Sequence, residues 1–142
     1  MVRFIISLVL LVGSIVGPIL LEGGTILAYI GISSFIINVL VPFFAMLAVW
    51  RLSEIGGAWR DAFSPRSDAA AKARSVRIWE FAEKICYATG VIAILAGTVI
   101  VLSNIRPSMA DLGREFAAGV LGPLYAVLFA VLCRILRARV QQ

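Results

Sequence analysis

The side chains able to do chemistry are few, and their types exclude more than they offer. The chain of 142 residues contains no histidine, which removes the commonest metal ligand and the usual general base near neutral pH. Its two cysteines, Cys86 and Cys133, lie far apart in sequence and have no zinc-site spacing. There is no glycine-rich phosphate loop and no clustered pair of carboxylates, so nothing in the sequence points to catalysis or to a bound cofactor. What remains is polar and small residues set inside apolar sequence. Asn38 and Thr98 are such polar residues. Ala118, Gly122, Ala126 and Ala130 stand four apart, and Ala93 and Gly97 do the same, with Gly90 one turn earlier and Thr98 alongside. In lipid, small residues let helix backbones approach closely. Two readings of these faces stay open: packing within one chain, or a face lining a central hole in an oligomer. Pro123, directly after Gly122, removes a backbone hydrogen bond in mid-helix, giving either a static bend or a hinge.

The elements that carry these residues follow from composition. Sixty-one per cent of the chain is hydrophobic and only 15% charged, whereas soluble domains have about half apolar and a quarter charged residues. The apolar residues form four runs: Phe4 to Leu21, Ile26 to Trp50, Ile85 to Leu102 and Phe116 to Cys133. Each approaches or exceeds the ~18–20 residues needed to cross a bilayer as a helix. The expected fold class is therefore all-α, an integral membrane protein with four transmembrane helices. Glu22-Gly23-Gly24 separates the first two runs so briefly that they form a hairpin. Arg3 before the first run resembles the start of a signal peptide, but no small-x-small cleavage site lies near Glu22, and the run is expected to be retained.

The charges give direction. The net charge is +5, a value that could suggest nucleic acid in a soluble protein. Here the basic residues flank apolar runs, and no nucleic-acid partner is expected. Of the 13 Lys and Arg residues, only Arg106 and Arg114 fall between the third and fourth runs. The others lie at the N-terminus, between the second and third runs, or after the fourth. Positive-inside bias places both termini and the central segment in the cytoplasm. Cys86 and Cys133 then sit at the cytoplasmic ends of their helices, where thiols stay reduced, and are expected to act as small packing residues.

The chain divides into an outer hairpin (residues 1–50), a short cytoplasmic segment (51–84) and an inner pair of helices with a basic tail (85–142). Within the central segment, Ser64-Pro65-Arg66-Ser67 is a turn signal. Asp68 is placed to cap a helix through Ala69 to Ala73 that continues into the third transmembrane helix. Trp79 and Phe81 are expected at the membrane surface, with Trp50 and Trp59 anchoring the end of the second span. No ionisable residue lies deep in any span, so a charge that carries ions across would have to come from a partner. Asn38, polar in mid-span, is expected to hydrogen-bond a neighbouring helix.

Two groups of motifs resemble a known family. Val12-Gly13-Ser14-Ile15-Val16-Gly17, followed by Leu20-Leu21-Glu22-Gly23-Gly24, resembles the first helix and outer turn of the MotA stator subunit. Ala96-Gly97-Thr98-Val99-Ile100, Ala110-Asp111-Leu112-Gly113 and Gly119-Val120-Leu121-Gly122-Pro123-Leu124-Tyr125 resemble the last two helices of the MotA/TolQ/ExbB group. The resemblance implies a proton channel subunit in the bacterial inner membrane. It implies a homo-pentamer around two helices of a single-span MotB-, TolR- or ExbD-like partner, which supplies a proton-carrying aspartate. Thr98 matches the family's pore-facing threonine of the third helix. Three departures stand beside this match. The family's fourth-helix threonine is replaced by Gly122 or Pro123. The proline usual near the start of the third helix is absent, with Val91 roughly there. Residues 51–84 are also much shorter than the MotA rotor-contacting segment. Two other readings therefore accompany the channel: a non-conducting membrane scaffold or assembly subunit, and a small self-sufficient pore.

Overall fold

The computed structural model describes residues 2–21, 31–63, 68–103 and 109–142, and every element among them is an α-helix. They are α1 (Val2–Leu21), α2 (Ile32–Val49), α3 (Leu52–Phe63), α4 (Ala69–Ser103) and α5 (Met109–Gln141). The breaks at Glu22-Gly23-Gly24 and Ser64 to Ser67, and Arg106, lie outside the described residues. The chain forms two compact units, Met1–Gly31 and Ile32–Gln142.

The first unit contains α1. The hydroxyl of Ser14 donates to the carbonyl of Leu11 at 2.8 Å. A polar group satisfied by its own helix is what an apolar solvent demands.

In the second unit, α4 and α5 are the backbone of the fold. α4 begins where the sequence places its cap: Asp68 Oδ1 accepts from the amide of Ala70 at 3.0 Å, and the Asp68 carbonyl accepts from Lys72 at 3.1 Å. The alanine-rich first turns favour helix, and no glycine or proline interrupts the chain before Gly90. The helix runs 35 residues without a break, about 50 Å at 1.5 Å per residue. α5 runs antiparallel to it for 33 residues. Among the described residues, α4 and the Gly119–Gln141 part of α5 are long and apolar enough to cross a membrane. Two of the four expected crossings, the third and fourth, thus meet the requirement, and a third would follow if the bent pair α2 and α3 counts as one span.

That bend is a feature the sequence reading lacked. α2 and α3 meet at 114° across Trp50 and Arg51. Trp50 closes α2 by donating to the Met46 carbonyl at 2.8 Å. Arg51 then starts α3: its carbonyl accepts from Glu54 and Ile55 at 2.9 and 3.1 Å, while Glu54 Oε2 reaches back to the Arg51 amide at 3.0 Å. A side chain three residues into the helix satisfying the first amide is half of a capping box.

α3 packs on α4 and touches α5, forming a core over one end of the seam. Ala58, Ala62, Ile78, Ala82, Leu136 and Val140 are all buried. Trp79 is only 2% exposed. Its ring meets Trp59 edge-on at 4.9 Å, and its Nε1 donates to the Ala58 carbonyl at 3.3 Å. A buried indole needs such a partner for its N–H, and the α3 bend supplies one. Phe81 packs edge-on against Trp50 at 4.9 Å. Ser75 donates to Asp61 Oδ2 at 2.8 Å inside the same core. Arg74 pairs with Glu54 at 3.0 Å near the surface.

A candidate functional site along the α4 and α5 seam

The small residues singled out in the sequence are brought together face to face. A Cβ added to Gly122 would lie 2.6 Å from the Ala93 Cβ, and one added to Gly90 would lie 2.9 Å from the Ala126 Cβ. At Gly97 the neighbour is backbone: the added Cβ would stand 3.0 Å from the Gly119 Cα. A methyl group or a backbone atom cannot rotate aside, so these positions set how near the helices come. Packing within one chain therefore accounts for Gly90, Ala93, Gly97, Gly122 and Ala126. Ala130 is fully buried. The side chain of Ala118 lies outside the described residues, as do those of Asp111, Arg114 and Glu115.

Pro123 fits this seam in a specific way. Lacking an N–H, it leaves the Gly119 carbonyl without its usual helical donor. The Cβ direction of Gly97 ends 3.4 Å from that carbonyl oxygen. The adjacent helix thus covers a backbone group that the proline exposes.

Asn38 acts from α2, as a polar residue in mid-run should. It is 2% exposed. Its Nδ2 donates to the Ser34 carbonyl at 2.8 Å and to the Gly122 carbonyl at 3.1 Å, tying α2 to α5 beside the tightest point of the seam. Its Oδ1 is buried with no hydrogen-bond partner.

Thr98 lies on the open side of the seam. Its hydroxyl donates to the Ile94 carbonyl at 2.8 Å, and the residue is exposed. With Gly97, Phe116, Gly119, Val120 and Pro123 it lines a groove of about 260 Å³. The walls are otherwise apolar, so this hydroxyl is the polar side chain the groove presents. Around it α4 shows Ile92, Leu95, Val99 and Ile100 to the outside, a surface suited to lipid or to another helix and not to water.

At the other end of the seam, Glu83 and Arg137 form an ion pair at 3.1 Å. Both side chains are largely sheltered, and the pair fixes the register of the two helices. The sequence offered no signal for it, because the partners are brought together only by the antiparallel pairing. Glu80, one turn from Lys84, has its carboxyl held below the ordinary range, first by the 2.8 Å hydrogen bond from Lys84 and then by that residue's charge. Among the described residues, no group of three or more His, Cys, Asp or Glu side chains could hold a metal ion. No protein-family model, curated protein or solved structure matches this chain.

Proposed function

We propose that the chain is the channel-forming subunit of a MotA/TolQ/ExbB-like motor that converts ion-motive force, carried by protons, into mechanical work. In this reading the four apolar runs cross the bacterial inner membrane, with both termini and residues 51–84 in the cytoplasm. Five copies surround a single-span MotB-, TolR- or ExbD-like partner whose aspartate carries the proton. The observation that carries the reading is the Thr98 groove. It places the one residue matched to the family's pore threonine on an open, otherwise apolar face of α4 and α5, where a partner helix and a proton-carrying carboxyl could lie against it. No carboxylate of this chain falls within the third or fourth run, which is why the carrier is assigned to the partner.

The test is co-expression with a single-span partner bearing an aspartate near its helix start. Native mass measurement should give five copies of this chain to two of the partner. Thr98→Leu, which fills the groove without disturbing the glycine contacts, should abolish proton flux into vesicles while leaving the assembly mass unchanged. A lone monomer, or flux that survives Thr98→Leu, would sink the channel.

A second reading, a non-conducting scaffold, draws on the use of the small-residue face within one chain. It draws also on the absence of a fourth-helix threonine. It predicts assembly with the partner and silent flux in the unmodified protein.

A further inference from the structure

Three sulfur-bearing residues from three helices line one cavity. Met46 comes from α2, Cys86 from α4 and Cys133 from α5, and all three line a cavity of about 170 Å³ near the charged end of the seam. The register of α4 and α5 explains the placement. Gly90 meets Ala126 on one side, and Glu83 meets Arg137 on the other. Cys86 and Cys133 fall between these two contacts on the same helix faces, and so stand opposite each other. Both are free thiols. Cys86 is 2% and Met46 9% exposed, whereas Cys133 is half-buried and gives access from the surface. The remaining walls include Trp79, Ala82, Phe129 and Leu136.

We propose that Met46, Cys86 and Cys133 form a binding site for a soft monovalent metal ion, Cu(I) or its analogue Ag(I). Thiolate and thioether sulfur select Cu(I), while Mg(II), Ca(II) and Mn(II) require oxygen ligands. With no histidine in the chain and no further thiol, the site cannot complete the four-ligand set of structural zinc. Binding exchanges protons for metal: one Cu(I) and two thiols give a bis-thiolate complex of net charge −1 and release two protons, with no change of oxidation state. The Met46 thioether adds a neutral third ligand. Glu83, one turn from Cys86, has its charge paired with Arg137 at 3.1 Å. The apolar walls exclude competing water ligands. The site is independent of the proposed channel, since none of its residues lines the Thr98 groove.

The test uses the purified, reduced full-length chain in detergent micelles. Native mass spectrometry with Ag(I) should show one ion per chain. Cu(I) should be retained against bathocuproine disulfonate at concentrations that strip it from the variants. Cys86→Ser and Cys133→Ser should each weaken retention by at least the roughly 10–100-fold that loss of even an outer-shell partner costs a metal site. Met46→Leu, which preserves volume, should weaken it less and leave the helical circular dichroism unchanged. Zn(II) should not compete. The proposal is overturned if the unmodified chain binds no Ag(I), or if the double variant Cys86→Ser/Cys133→Ser binds as well as the unmodified chain. It is also overturned if the chain is recovered only as a metal-free disulfide, lighter by two hydrogens.

Discussion

The two halves of the α4 and α5 pair are held together by different means. At the charged end, α3 closes over the seam, and large side chains fill the space between helices: Trp79, Ile78, Leu136 and Val140 are buried there. Inside that core Ser75 donates to Asp61. At the apolar end the layer over the seam is α2, which reaches α5 through Asn38 and through Phe35 against Tyr125 and Phe129. The helices meet through glycine and alanine, while Ile92, Leu95 and Val99 point outward. On the proposed topology, the difference reflects the solvent each half is built for. In water, removing apolar area from the surface drives association, at about 25 cal/mol per Å². In lipid that driving force is absent, because the surroundings are as apolar as the side chains, and close van der Waals approach and hydrogen bonds take its place. One pair of helices thus carries both solutions along its length.

The comparison can be broken at either end. The largest effect is expected from Trp79→Ala, which empties part of the core at the charged end and should cost about 3–5 kcal/mol. Unfolding of the chain in micelles, followed by helical circular dichroism, should lose its cooperativity first among amides of α3 by hydrogen exchange. An unchanged midpoint would mean that α3 is not held by this core. At the apolar end, Gly122→Ala drives a methyl group into Ala93 and should cost about 1–3 kcal/mol by overpacking. Adding Ala93→Gly should restore most of the loss. Failure of that rescue would show that the glycine contact does not set the helix separation.

Those two variants also mark what could be read from the chain alone. The glycine and alanine spacing, the Asp68 cap and the unbroken passage from Ala69 into the apolar run are all local patterns, and each has its counterpart in the structure. The partner-seeking role of Asn38 was legible for the same reason: an amide in an apolar run must find a carbonyl. Which carbonyl it finds, that of Gly122, depends on how α2 lies against α5. The fate of Trp79 was hidden by the same kind of dependence. An aromatic near a run's end looks like an interfacial anchor, and its burial comes from a 114° bend that folds α3 across it. The bend itself is signalled by little more than Glu54 three residues after Arg51, since Arg51 is not one of the usual capping residues. The three sulfurs are spread over most of the second unit, and no spacing rule links them.

Smaller effects sharpen the comparison further. Asn38→Leu removes the α2 to α5 hydrogen bond but also removes a buried oxygen that has no partner. Hydrogen bonds between membrane helices average about 0.6 kcal/mol, so the unfolding midpoint should fall only slightly. A large fall would mean that polar contacts, and not close packing, hold the apolar end. The smallest effect is expected at Glu80, which is exposed at the charged end. Its carboxyl is depressed by Lys84, so its contribution is present above the ordinary carboxylate range and is lost as pH falls through the lowered folded-state value. Glu80→Gln should leave the midpoint at neutral pH almost unchanged and slightly flatten its decline in acid. A marked loss at neutral pH would show that surface pairs matter more here than solvent screening allows.

The length of α4 has a mechanical consequence. An uninterrupted helix transmits angle: if its charged end tilts, its apolar end tilts with it. Over the roughly 30 Å of helix from Gly90 back to Ala69, a few degrees of rotation about the glycine contacts shift the charged end by about 2 Å. α3, held to the charged end through Trp79 and Asp61, then rides the long arm of a lever, and Thr98, next to Gly97, lies beside its pivot.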